Sequence, residues 1–210
     1  MRLGPLTPAL EAARYGLSAK DWTPRVRAAF AALEQEIEAL RAKAAELEGL
    51  ADRDPLVPML NRRAFLEALQ RTASYTERYG GEAAVVYLDL DDFKAINDNF
   101  GHPTGDAALR HVGRLLLDHI RESDIAGRIG GDEFAVILVH TTLADAKRKA
   151  ASLKTAIAAT PLIHEGLRHD MSASIGVHAI ARTEDAEAAL ARADEAMYAN
   201  KKSARRIGAA

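Results

Sequence analysis

Hydrophobic positions in the first quarter of the chain recur at alternating steps of four and three. They are Val26, Phe30, Leu33, Ile37, Leu40, Ala44, Leu47 and Ala51. Thr23 and Pro24 just before them are a typical N-cap and first-turn pair. The pattern predicts a dimerising coiled-coil helix over residues 23–52, because the spacing is strictly heptad. An amphipathic helix packed on its own domain is the alternative.

From residue 53 onward, strand-like and helix-like patterns alternate. We predict helices from Asn61 to about Tyr79, Thr104 through Ile120, Leu143 to Ala159, and Glu184 (capped by Thr183) to about Asn200. We predict strands at Ala84–Leu90, Asp124–Ile129, Phe134–Val139, Leu162–Arg168, Met171–Ile180 and Arg205–Ile207. This order predicts one α+β domain over residues 53–210, with a mainly antiparallel sheet. Residues 1–22 form a segment of unknown role, in which 8–15 could be a short helix.

Composition narrows the class of protein. The net charge of −2 gives no global electrostatic case for nucleic-acid binding. The chain has no cysteine, which excludes disulfides and cysteine metal sites. No signal-peptide pattern or membrane-spanning apolar run stands out. We therefore expect a cytoplasmic protein without a membrane segment.

Two acidic clusters suggest where chemistry takes place. Gly130-Gly131 lies between two apolar runs and predicts a β-hairpin, since glycine reaches the positive φ angles of tight turns. Asp132 and Glu133 follow directly, and adjacent carboxylates repel unless a cation such as Mg²⁺ joins them. The alternative is a solvated hairpin tip with two surface acids. A second apolar strand delivers acids at its end, from Asp89 to Asp92.

These clusters belong to an ordered set of motifs. It comprises Asn61-Arg62-Arg63, the acidic and glycine-containing run from Asp89 to Asp106, and Gly130-Gly131-Asp132-Glu133-Phe134. The set resembles the GGDEF family, the diguanylate cyclases, over about residues 54–206. The resemblance implies the palm-like fold of nucleotidyl cyclases, which is related to the ferredoxin-like fold. It also implies a homodimer that joins two GTP molecules into cyclic di-GMP and releases two pyrophosphates.

The resemblance assigns roles to individual residues. The ligands for two Mg²⁺ ions per site, or Mn²⁺ in their place, would be Asp89, the Leu90 carbonyl, Asp132 and Glu133. Asp132, Glu133 and Lys94 would be catalytic, with Lys94 stabilising phosphate charge. The groups that bind GTP would be Asn97, His102, Asp106, Lys201 and Arg205. Asn97 and Asp106 match the guanine readers, although both residue types also serve as helix caps.

Regulation is implied as well. Arg121 and Asp124 lie where the family binds cyclic di-GMP as an inhibitor, and arginine suits phosphate and guanine. Two departures from the family pattern occur, at Val57-Pro58 and at Ala204 with Arg206. A non-catalytic module that senses cyclic di-GMP or GTP, and a coiled-coil scaffold that docks partners, remain alternative functions.

Overall fold

The computed structural model divides the chain into two compact units, Met1–Ala51 and Asp52–Ala210. It describes residues 12–13, 15–18, 20–181 and 184–208, without the side chains of residues 42, 44–51 and 203–208. None of the helices so described combines the length and the apolar character that a bilayer crossing requires.

The first unit contains a long helix, α1 (Pro24–Ala51). The Thr23 hydroxyl accepts a hydrogen bond from the Val26 amide at 3.3 Å, which confirms the predicted cap. The predicted helix over residues 8–15 falls largely outside the described residues.

The middle of the heptad seam is uncovered in a single chain. Leu33, Ile37 and Leu40 are 53%, 46% and 61% exposed. Phe30 instead packs within its own unit against Tyr15 and Trp22, with ring centroids 4.5 and 5.4 Å apart. Exposed leucine and isoleucine at heptad spacing are typical of a helix that pairs with a second helix.

The second unit is built from five helices and six strands within its described residues. The helices are α2 (Arg62–Tyr79), α3 (Phe93–Phe100), α4 (His102–Asp118), α5 (Leu143–Ala159) and α6 (Ala186–Gly208). The strands are β1 (Ala83–Leu90), β2 (Ile125–Arg128), β3 (Glu133–Val139), β4 (Leu162–His164), β5 (Leu167–His169) and β6 (Ala173–Ala179). Four strands form a sheet in the order β2-β3-β1-β6 with every pairing antiparallel, which confirms the predicted α+β fold.

Both faces of this sheet are buried, which explains the unbroken apolar run of β1. Val86 and Leu88 point into a core with α4 and α5, whereas Val85 and Tyr87 point into a second core with α2 and α6. The close approach of α6 to β6 requires a glycine. A Cβ at Gly176 would collide with the α6 backbone. The sheet therefore holds α6 at a fixed position beside the end of β1.

The connection after β1 differs from the prediction. We expected a turn and a loop up to Thr104, but α3 occupies Phe93–Phe100 and α4 already begins at His102. Helix α3 has no fully buried residue, and its apolar side chains Phe93 and Ile96 pack only partly buried against the core. It also starts after Asp92, which is in the left-handed conformation with φ 55° and makes no side-chain cap.

Two further predictions were wrong. The single strand Leu162–Arg168 is in fact the β4–β5 hairpin, because Glu165 and Gly166 have φ of 50° and 78° and form a two-residue turn. The predicted strand Arg205–Ile207 is helical backbone within α6. The proposed cap Thr183 lies outside the described residues.

Candidate active site

The acids identified in the sequence meet at one end of the sheet. Asp89 on β1 lies opposite Glu133 on β3 and opposite Ser174 on β6. The Leu90 amide donates to the Asp132 carbonyl at 3.1 Å, which ties the hairpin turn to the end of β1. Because side chains alternate along a strand, Asp89 shares the face of Tyr87, towards α2 and α6.

The predicted hairpin is confirmed, but its glycines act differently from the prediction. Strands β2 and β3 pair around the turn, and the Ile129 amide donates to the Glu133 carbonyl at 2.8 Å. Neither Gly130 nor Gly131 has a positive φ. A Cβ at Gly130 would instead occupy the space of the Glu133 carboxylate, whereas one at Gly131 would meet nothing within 4 Å. Gly130 therefore makes room for an acid.

Arg128 anchors the turn that carries the acids. Its Nε and Nη2 donate to the Gly131 carbonyl at 3.2 and 2.7 Å. Its Nη1 lies 3.3 Å from both carboxylate oxygens of Asp54. Asp54 in turn accepts hydrogen bonds from the amides of Leu56 and Val57 at 2.9 and 3.0 Å. This guanidinium thus connects the hairpin to the segment in which the sequence departs from the family pattern.

The electrostatics of the site reflect crowded carboxylates. Burial and the nearby charge of Asp89 raise the pKa of Asp132, while its own backbone hydrogen bond, Lys201 and Arg128 oppose that rise. Burial also raises the pKa of Tyr87, with the Glu133 carboxylate, to which its hydroxyl donates a hydrogen bond, as the second cause. Tyr87 therefore stays neutral and orients Glu133.

A lysine from α6 provides positive charge at this cluster. Met197 is buried against the sheet, and Lys201 is one helical turn further along the same face. The Lys201 ammonium forms an ion pair with Asp89 and lies 3.8 Å from Oδ1 of Asp91. All three side chains are 18–25% exposed, so the pairs are only partly screened by water.

The residues present suit Mg²⁺ bound together with a nucleotide. Among the described residues, no three acidic or histidine side chains converge as a preformed metal cage. Mg²⁺ commonly takes only one or two carboxylates and completes its shell with phosphate oxygens and water. Asp89 and Glu133 offer such carboxylates on neighbouring strands, and the Lys201 ammonium is paired with Asp89.

The predicted guanine readers lie on helices rather than in a loop. The Asn97 amide on α3 packs so closely on Gly105 of α4 that a Cβ there would collide with it, and Asp106 is the next residue. Neither residue is a helix cap, since Asp92 and Gly101 take those positions. The side chain of Asp106 is half exposed. Among the described residues it forms one ion pair, with Arg110, and this pair is weak because the two charged atoms are 3.8 Å apart.

The other predicted substrate groups lie around this helix pair and on α6. Lys94 in the first turn of α3 and His102 at the start of α4 are both exposed. Arg205 belongs to the backbone of α6, but its side chain falls outside what the structure describes.

The predicted product-binding pair lines a separate cavity of about 320 Å³. Arg121 and Asp124 border it together with His140, Arg148 and Lys149. The buried Asp124 carboxylate accepts the amides of Arg121 and Val139 at 3.0 and 3.3 Å. Asp124 therefore fixes the backbone beside the cavity, and Arg121 is exposed and free to turn towards an anion.

Sequence reasoning missed three side chains of the site. They are Tyr87, Asp91 and Arg128. The signal for Asp91 was present, because residues two apart on a strand share a face and Asp91 follows Asp89 at that spacing. The contacts of Tyr87 and Arg128 depend on strand register and on a distant segment, which no local pattern reveals.

Comparison with known proteins identifies the family. The family model "Diguanylate cyclase, GGDEF domain" matches residues 51–206. Diguanylate cyclase DgcP of Pseudomonas aeruginosa is 35% identical over 173 residues, which cover 82% of this chain and 26% of DgcP. Diguanylate cyclase TpbB of the same species is 36% identical over 182 residues, covering 84% of this chain and 42% of TpbB. The chain thus spans less than half the length of these curated relatives.

Solved structures agree with this result. The coiled coil and GGDEF domain of DgcB from Caulobacter crescentus, in complex with c-di-GMP, matches with a TM-score of 0.75 and 28% identity. That match covers 85% of this chain and 95% of the DgcB chain. Diguanylate cyclase SiaD with its activator SiaC, from Pseudomonas aeruginosa, matches with a TM-score of 0.72 and 28% identity, over 92% and 73% of the two chains. This chain therefore belongs to the GGDEF-domain family of diguanylate cyclases.

Proposed function

We propose that this protein is a Mg²⁺-dependent diguanylate cyclase, which condenses two GTP molecules into cyclic di-GMP and releases two pyrophosphates. The observation that carries the proposal is the cross-strand pair Asp89 and Glu133 with Asp132 beside it and Lys201 opposite. Phosphoryl transfer needs little covalent chemistry from a protein. The protein mainly positions the phosphates and neutralises their charge.

Asp89, Asp132, Glu133 and the Leu90 carbonyl would hold two Mg²⁺ ions, for which Mn²⁺ could substitute. Bound metal supplies charge neutralisation and lowers the pKa of the attacking 3′-hydroxyl. Asp132 would accept that proton, and burial with the charge of Asp89 raises the pKa of its carboxyl, which makes it a better base. The Tyr87 hydroxyl, which donates a hydrogen bond to Glu133, would hold that carboxylate in place as a ligand.

The remaining residues bind the nucleotide. Lys94 and Lys201 would contact the phosphates, together with Arg205. Asp106 would accept from guanine N1–H and N2–H while the Asn97 amide donates to O6 or N7. An adenine edge presents the opposite pattern, so this pair favours GTP over ATP. His102, exposed at the start of α4, would contact the ribose or base.

One such domain carries one GTP, which is half of the reacting pair. We propose that α1 pairs with α1 of a second copy and holds two domains at high effective concentration, on the order of mM for a short connection. The exposed seam residues Leu33, Ile37 and Leu40 support this homodimer. So does the similarity to a DgcB chain that comprises a coiled coil and a GGDEF domain.

The cavity lined by Arg121 and Asp124 would bind cyclic di-GMP and inhibit the enzyme. Its lining carries three cationic side chains, those of Arg121, Arg148 and Lys149, against the carboxylates of Asp124 and Asp145, and arginine suits the phosphates of a dianionic ligand. Similar GGDEF structures have been solved in complex with c-di-GMP, which supports this assignment.

Incubation with GTP and Mg²⁺, followed by nucleotide separation, tests the proposal. We expect one cyclic di-GMP and two pyrophosphates for every two GTP consumed, little turnover of ATP, and none in Asp89→Asn. Arg121→Ala is the matched control, since it should retain turnover while losing product inhibition. Binding of cyclic di-GMP without any turnover would instead identify a sensing module, and hydrolysis to GDP would refute the cyclase assignment.

A further inference from the structure

Asp91 is an acid of the site that neither the metal nor the nucleotide accounts for. It follows β1, and its amide donates to the Ser172 carbonyl at 3.0 Å. Ser174 donates to its Oδ1 at 2.7 Å and Ser172 to its Oδ2 at 2.9 Å. The carboxylate is therefore fixed in position by neutral hydroxyl groups, which leave its negative charge in place.

The Lys201 ammonium is the cation that faces this charge. It is paired with Asp89 and lies 3.8 Å from Oδ1 of Asp91. A lysine ammonium has three donors and a flexible stem, so it can exchange one carboxylate for another through a small rotation. The two carboxylates thus offer Lys201 two neighbouring positions.

A divalent ion at Asp89 and the Lys201 ammonium at Asp89 compete for the same oxygens. In the structure, the Lys201 ammonium is ion-paired with Asp89. The ion can bind only if this ammonium moves away, and moving a partly buried charge into a place without a partner is costly. Asp91 lowers that cost, since it lies within 3.8 Å and its orientation is already fixed.

We propose that Asp91 is a positioning residue that receives the Lys201 ammonium when a divalent cation takes Asp89. This inference rests on the proposed function, since it assumes a metal at Asp89. With Asp91 present, Lys201 leaves Asp89 but stays at the end of the sheet, where it can meet the phosphates of the nucleotide. The alternative is that Asp91 is only a structural link between β1 and the segment before β6.

The test measures Mn²⁺ affinity of the full chain without nucleotide, by electron paramagnetic resonance. Lys201→Met removes the competing ammonium and should tighten Mn²⁺ binding about threefold to tenfold, the size of a typical charge coupling. Asp91→Asn keeps hydrogen-bonding groups for both serines and should weaken binding by a similar factor. In the double variant, Asp91→Asn should no longer change Mn²⁺ affinity, because there is no Lys201 ammonium for Asp91 to receive.

Asp92→Asn is the matched control for loss of one negative charge. Asp92 is exposed, makes no side-chain cap, and has a φ of 55° that asparagine tolerates well. It should change Mn²⁺ affinity less than Asp91→Asn does. Thermal unfolding of each variant checks that the fold is intact.

Three results would separate the possible failures. If Asp91→Asn weakened Mn²⁺ binding equally with and without Lys201, Asp91 would act through its charge or as a ligand, and the positioning role would be wrong. Equal effects of Asp91→Asn and Asp92→Asn would overturn it as well. If Asp89→Asn left Mn²⁺ affinity unchanged, the metal site of the proposed function would fail, and the role of Asp91 with it.

Discussion

The contact between Arg128 and the hairpin turn gives a prediction whose size follows from the structure. Arg128 and Asp54 are 16% and 12% exposed in their side chains, so the pair is largely desolvated. Arg128→Ala removes the hydrogen bonds to Gly131 and leaves Asp54 without its cation. We therefore expect a loss of both stability and turnover.

Arg128→Ala should destabilise the fold less than removing one partner of a fully buried ion pair would. Removing one partner of a buried pair costs about 3–5 kcal/mol, and hydrogen bonds to charged groups contribute about 1.5–3 kcal/mol. Asp54 keeps the amides of Leu56 and Val57 as donors, which reduces the penalty. We expect a decrease of about 2–3 kcal/mol in the free energy of unfolding, or about 4–12 °C in melting temperature for a unit of this size.

Thermal unfolding by circular dichroism measures this loss, and pyrophosphate release measures turnover. Arg128→Lys is the matched variant, since it keeps a charge near Asp54 but lacks the fork that reaches Gly131. It should be destabilised less than Arg128→Ala while still losing turnover. In the Arg128→Ala background, Asp54→Asn should lower the free energy of unfolding only slightly. Equal costs in both backgrounds, or a melting temperature within about 2 °C of wild type, would refute the reasoning.

Two further predictions concern the hairpin acids. Because burial and Asp89 raise the pKa of Asp132, ionising it costs stability, so Asp132→Asn should melt higher than wild type at pH 7. This gain in melting temperature should shrink as the pH falls through the folded-state pKa of Asp132. It should disappear below the ordinary aspartate pKa of 3.8, which melting curves over a pH series can show. Gly130→Ala should displace the Glu133 carboxylate and weaken Mn²⁺ binding with little change in melting temperature, whereas Gly131→Ala should leave Mn²⁺ affinity near wild type. Equal Mn²⁺ affinities for the two alanine variants would contradict the role of Gly130.

Local sequence signals predicted the elements that bury a wide apolar stripe or carry a cap. Helix α5 begins and ends at the predicted residues, Leu143 and Ala159. At its start, the Thr142 hydroxyl accepts a hydrogen bond from the Asp145 amide at 3.1 Å. The cap Asn61 likewise accepts the Ala64 amide at 3.0 Å. These features depend on neighbours three or four residues away, so the sequence alone specifies them.

Several features that were missed depend on distant contacts. Helix α3 buries no residue completely and has no side-chain cap, so its conformation depends on packing with α4. The interactions of Asp91 join residues more than 80 positions apart. Motif order predicted Lys201 as a site residue, but its pairing with Asp89 across 112 positions required the packed helix α6.

The two glycines of the hairpin show why a motif can be predicted correctly for an incorrect reason. The Gly-Gly pair suggested positive φ, yet both residues have ordinary backbone conformations. At Gly130 the missing Cβ leaves space for the Glu133 carboxylate three residues later. Without that space, the carboxylate of Glu133, which is the cross-strand neighbour of Asp89, would have to move. The glycine and the acid therefore constrain each other, so this part of the motif encodes the placement of a carboxylate more than the shape of a turn.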